Sequence, residues 1–125
     1  MKIGNVLVEA KLTESDFTAK TKEKVNGYRN FQGLFEVSAL PQNHTEFLGY
    51  QLIRNVIAAF EKDCRFFLIC DARRPDLLRS WWEVMRAVKS WEMRQKCGFV
   101  LWQEIAAVAP QPVKTFLEKK YGILS

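Results

Sequence analysis

The chain has one histidine, His44, and three cysteines, none of them in a C-x-x-C pair. Structural zinc sites draw on closely spaced Cys and His pairs, so a lone His44 and cysteines without such pairing argue against a zinc centre, and the odd cysteine count argues against a disulfide framework. Two of Cys64, Cys70 and Cys97 sit in apolar runs and read as reduced, buried residues of a cytoplasmic protein. Long hydrophobic stretches are also missing: none approaches the roughly 20 residues that cross a bilayer. Met1-Lys2-Ile3-Gly4-Asn5 has no signal-peptide core. Repeats, low-complexity segments and linkers are absent, so residues 1–125 read as a single soluble domain. Acids are outnumbered, 14 against 19 Lys and Arg, giving a net charge of +5 and a pI near 9.2. That balance is compatible with a polyanion partner and does not by itself identify one.

What is present is organised around residues 6–12, Val-Leu-Val-Glu-Ala-Lys-Leu. The apolar lead-in predicts a strand inside a sheet. Alternation along it puts Glu9 and Lys11 on one face and Val8, Ala10 and Leu12 on the other. Charges on such a strand are costly unless compensated. A divalent metal and a phosphodiester would compensate them; on a wet edge strand the same pair would be ordinary surface.

Residues 13–43 lose periodicity and read as a long, partly ordered connection, basic at Lys20, Lys22 and Lys24. Tyr28, Phe31, Leu34, Phe35 and Val37 are expected to pin it to the core. Thr45 can cap a helix over residues 46–61. On that apolar helix Gln51, Arg54 and Asn55 share one face, either as a wet stripe or as a wall beside Glu9 and Lys11. A second strand is expected over 65–71, a helix over 75–91 opened by Pro75, and a third strand over 98–102. A short helix over 103–109 and a last helix over 112–120, closed by Gly122, complete the chain. Trp82 and Trp91 are expected to pack rather than to form stacking platforms. Arg73 and Arg74 read as solvated or phosphate-facing, and Asp71 as a turn cap. Alternating strands and helices predict an α/β fold, a small sheet between helices.

The blocks Val8-Glu9-Ala10-Lys11-Leu12-Thr13-Glu14, Tyr50-Gln51-Leu52-Ile53-Arg54-Asn55, Asp71-Ala72-Arg73, Leu101-Trp102-Gln103-Glu104-Ile105 and Phe116-Leu117-Glu118-Lys119-Lys120-Tyr121-Gly122 together resemble the PD-(D/E)xK nuclease superfamily. They are similar, more narrowly, to bacterial restriction-endonuclease-like proteins. The resemblance implies a restriction-endonuclease-like core with a small mixed sheet flanked by helices, and Mg²⁺- or Mn²⁺-dependent hydrolysis of nucleic acid, DNA in the first instance. It implies Glu9 as metal ligand, Lys11 as the residue serving the attacking water, and Gln51 and Arg54 lining the site. Family members carry further strands and a first acid upstream of the Glu-x-Lys strand, whereas here Met1 stands eight residues before Glu9. The chain therefore resembles the C-terminal part of such a domain, with Glu14, Glu36 or Asp71 as candidate substitutes for that acid. The exposed sheet edge and apolar face that this leaves predict a homodimer or a partner chain. The alternative is a catalytically inert module of the same fold that binds nucleic acid or protein.

Overall fold

The computed structural model describes residues 1–13 and 16–124. Its main sheet has four strands in the order β1 (Lys2–Ile3), β2 (Val6–Ala10), β5 (Arg65–Cys70), β6 (Cys97–Leu101). β1 folds back antiparallel on β2 at Gly4, where φ is +57°, while β2, β5 and β6 run parallel. The sheet is mixed and the fold α/β, as the alternation of strands and helices predicted. The three strands read from the sequence are neighbours, and β1 is an addition.

Register fixes the two faces. Leu7 lies beside Phe66, Glu9 beside Leu68, and Phe66 and Leu68 beside Cys97 and Phe99. This face packs on α3 (Tyr50–Glu61), through Leu52, Ile53, Val56 and Ile57, and on α4 (Pro75–Met85), through Leu77, Trp81 and Val84. All seven helix residues are buried. Burial at about 25 cal/mol per Å² of apolar area makes this interface the main stabilising one. The opposite face presents Val6, Val8, Phe67, Ile69 and Val100, all half-buried. A smaller cluster of Ala106, Leu117 and Ile123 covers its C-terminal end, with Leu12, Trp102 and Tyr121 packed against it. Those residues come from α6 (Trp102–Val108), α7 (Gln111–Tyr121) and the flanking chain.

The connection expected to be partly ordered is built from short elements: β3 (Ala19–Thr21), α1 (Lys22–Asn26), α2 (Phe31–Leu34) and a 3-10 turn (Val37–Ala39). Phe31, Leu34 and Phe35 are buried, and Tyr28 and Val37 half-buried. Residues 46–48, expected in a helix, form β4 (Glu46–Leu48), antiparallel to β3. The amides of Thr45 and Glu46 donate to Asn43 Oδ1, so the side-chain turn is made by Asn43 rather than a cap by Thr45. The helix starts only after Gly49, whose φ of +68° breaks the chain direction and where a Cβ would lie 2.9 Å from Val84 Cγ2.

The helix expected over 75–91 stops at Met85, and α5 (Trp91–Gln95) restarts with Ser90 Oγ accepting from the Met93 amide. The break lets Lys89 N donate to Leu34 O and Glu36 N to Ala87 O, tying this corner to α2. Trp82 and Trp91 are 60% and 67% exposed; Trp82 packs edge-on against Phe99, whereas Trp91 is more open than the packing role expected of it. They border an apolar groove of about 400 Å³ beside β6. All three cysteines are free, with Cys64 and Cys70 buried. Among the described residues no helix is long and apolar enough to cross a membrane.

Candidate functional site

Parallel strands release their chains at one end of a sheet, and in open α/β folds that carboxyl end is where ligands collect. Here it gathers Glu9 from β2, Lys11 just after it, Asp71 after β5, and Trp102 and Gln103 after β6. The Lys11 amide still donates to Ile69 O, so the ladder persists one residue past β2 and holds Lys11 on the Glu9 face.

α3 covers that face at its N-terminal end. The amides of Tyr50 and Gln51, which have no partner within the helix, donate to Thr18 O and Phe17 O. This docking places Gln51 and Asn55, one helical turn apart, over β2. Lys11 Nζ donates to Gln51 Oε1 at 2.7 Å and to Asp16 O at 2.9 Å, and lies 5.3 Å from the centre of the Phe17 ring. Lys11 is only 4% exposed, and a buried ammonium persists only where acceptors replace its water. Two oxygens and a ring face supply that replacement.

Glu9 is served differently. Asn55 Nδ2 donates to its Oε1 at 3.2 Å and also to Gln51 O at 2.8 Å, an i−4 bond that orients the amide. Among the described residues no protein donor reaches Glu9 Oε2 and no ion pair joins Glu9 to Lys11. The carboxylate and the ammonium thus stand on one face as separately held groups, one half-open and one buried.

Of the residues singled out in the sequence, Glu9, Lys11 and Gln51 come together. Arg54 does not join them: it is exposed, with its guanidinium 5.8 Å from the Tyr50 ring centre. Asn55, noted in the sequence only as part of the polar stripe, is the residue that touches Glu9. Its signal was its place one turn after Gln51.

Asp71 belongs to a different network. Its carboxylate accepts from Arg73 Nε and Nη2, from the Arg73 amide and from Gln103 Nε2. Arg73 goes on to the carbonyls of Tyr121 and Gly122, and Gln103 Oε1 accepts from the Ala72 amide. The Arg73 hydrogen bonds, assisted by Gln103 and the guanidinium charge, hold the Asp71 carboxyl far below its ordinary 3.8. This is a clamp between the end of β5 and the ends of α6 and α7, and its acid is fully engaged. Trp102 Nε1 ties the clamp to the site by donating to Lys11 O at 2.9 Å.

Glu36 is not at the Glu9 end of the sheet. It accepts from Ser38 and its amide is bonded to Ala87, and Glu14 lies outside the described residues. Among the described residues no group of three His, Cys, Asp or Glu is placed to hold a metal. Glu9 Oε2 fits as one ligand to a hydrated Mg²⁺, an ion that binds through one or two carboxylates together with substrate phosphates. It does not make a metal site on its own.

A family model described as "Restriction Endonuclease associating with ARP" matches residues 1–122. No curated protein and no solved structure gives a significant match.

Proposed function

The chain belongs to the family described as Restriction Endonuclease associating with ARP, and from that premise we propose that it carries a PD-(D/E)xK-type nuclease site at Glu9 and Lys11. The reaction is hydrolysis of a phosphodiester in nucleic acid, DNA in the first instance. A water oxygen bonds to phosphorus, the P–O ester bond breaks, and a phosphomonoester and a hydroxyl result. The observation that carries the reading is the separate support of the two charged groups, Lys11 by Gln51 and Glu9 by Asn55.

Glu9 is the residue that would hold Mg²⁺, or Mn²⁺, through its open Oε2. When bound, the ion supplies positive charge against a phosphoryl oxygen. Lys11 brings a fixed positive charge and its remaining N–H toward the phosphate or the attacking water. Gln51 and the Asp16 carbonyl fix where that ammonium stands, and Asn55 fixes the carboxylate. Preorganised charge of this kind is more effective than charge that must reorient during reaction. A second copy or another chain that contributes a further acid is part of the same proposal, motivated by the half-buried row Val6, Val8, Phe67, Ile69 and Val100.

One observation favours the inert module as the second reading: among the described residues no group of three His, Cys, Asp or Glu is placed to hold a metal. Nicking of plasmid and single-stranded substrates with Mg²⁺ or Mn²⁺, against an EDTA control, separates the two. The nuclease reading expects cleavage that Glu9→Gln abolishes and Lys11→Ala strongly reduces. Equal cleavage by wild type and Glu9→Gln would sink it, and absence of cleavage by every form leaves the binding module.

A further inference from the structure

Three cations next to the Glu9 site are ordered by aromatic rings rather than by acids. Lys20 Nζ lies 5.2 Å from the centre of the Tyr50 ring, and Arg54 lies 5.8 Å from the same ring. Lys22 Nζ lies 5.7 Å from the Phe47 ring, and Phe47 is the cross-strand partner of Lys20. Tyr50 is fixed in turn by Tyr28, with the phenol oxygens 2.6 Å apart and the rings stacked at 6.4 Å. Glu23 follows Lys22 in α1 and Glu46 precedes Phe47 in β4, yet among the described residues no ion pair joins either to Lys20, Lys22 or Arg54.

A cation held over a ring keeps its charge, and the N–H groups not turned to the ring stay available to a further acceptor. The three together form a continuous basic strip, from Lys22 through Phe47 and Lys20 to Tyr50 and Arg54. It borders the candidate site: Tyr50 and Arg54 stand one position before Gln51 and Asn55 on α3, with Arg54 turned to the Tyr50 ring. Consecutive Cα atoms are only about 3.8 Å apart.

We propose that this strip is the docking track for the phosphate backbone of a nucleic acid, which it delivers to Glu9 and Lys11. The inference rests on the nuclease-site reading for where the strand is led, and on the strip's own geometry for what it binds. Phosphates match N–H donors that have no carboxylate partner. Single-stranded DNA, duplex DNA and single-stranded RNA share this backbone chemistry and are the arms of the test.

The test is fluorescence anisotropy of labelled oligonucleotides of about 20 nucleotides in EDTA, so that no cleavage occurs, across a range of salt. The variants are Lys20→Ala/Lys22→Ala/Arg54→Ala, Tyr50→Ala and Tyr50→Phe. A charge-matched control, Lys62→Ala/Lys114→Ala/Lys119→Ala, removes the same charge elsewhere. The strip triple variant should weaken binding by about 10- to 100-fold and reduce the slope of log K against log salt by about 2–3, one phosphate contact per cation. Tyr50→Ala should weaken binding, Tyr50→Phe should nearly preserve it, and the control triple should change the slope much less.

Equal losses in the two triples would overturn the proposal, because net charge alone would then account for binding. So would equally tight binding of poly-glutamate, or no binding by the wild type. Glu9→Gln separates this proposal from the nuclease reading, since it should retain full binding whether or not the wild type cleaves. A strip-dependent binder with no cleavage in any form would leave the track standing and remove the catalytic reading.

Discussion

The Lys11 ammonium lies 2.7 Å from Gln51 Oε1, a bond that spans 40 positions of sequence and joins the end of the central strand to the first turn of α3. Because Lys11 is buried, removing the acceptor leaves a desolvated cation short of a partner. Gln51→Leu should therefore destabilise the fold by about 1–3 kcal/mol, whereas Gln51→Glu should cost less because it restores an acceptor. Urea unfolding of the three forms measures this. A Leu variant as stable as wild type would mean that water reaches Lys11.

Asp71 predicts an acid limb to stability. Its bonds to Arg73 and Gln103 favour the carboxylate in the folded state and hold its pKa below the ordinary 3.8. The stability it contributes is therefore complete above the unfolded value and is lost as pH falls below 3.8 toward the folded one. Arg73 is 56% exposed, which screens the Coulomb part, so Asp71→Ala should cost about 2 kcal/mol at neutral pH. Thermal melts between neutral pH and pH 3 should show that difference shrinking only at the acid end. A constant difference across the range would assign the loss to packing.

The thiols should be unreactive in the folded protein. Burial pushes Cys70 up to about 11 and Cys97 up to about 12, so little of either is thiolate near neutrality. Iodoacetamide should label Cys70 and Cys97 slowly in buffer and rapidly in denaturant. Rapid stoichiometric labelling of the native protein at Cys70 would contradict its burial, and at Cys97 it would contradict the raised pKa.

The open sheet face predicts association. Val8 is half-buried on that face, and Val8→Lys places a charge there. Wild type should sediment as a dimer at micromolar concentration and Val8→Lys as a monomer with an unchanged circular dichroism spectrum. A wild type that is monomeric throughout would remove the second copy from the proposal.

The parts of the fold legible in the sequence were those whose signal is local and repeated. Val6, Leu7 and Val8, the run from Phe66 to Cys70, and the stretch from Phe99 to Leu101 each concentrate β-branched, aromatic and other apolar residues in a length only a covered strand needs. The shared face of Glu9 and Lys11 followed from a period of two. β3, β4, α1 and α2 escaped because each has only three to five residues. Segments that short lack a period of their own and exist through cross-strand pairing and burial.

The sequence by itself determined that an acid and an amine share a strand face and that Gln51, Arg54 and Asn55 share a helix stripe. Only the tertiary structure decided which of these meet. Docking of α3 on the carbonyls of Phe17 and Thr18 sets the helix over β2. That placement brings Gln51 to Lys11 and Asn55 to Glu9, and turns Arg54 away onto Tyr50. Asp71 was equally a candidate in the sequence, but a guanidinium two residues later and an amide 32 residues later draw it into the clamp. Partner choice among polar groups depends on rotation and distance between elements far apart in the chain, and that relation is set by packing rather than by spacing.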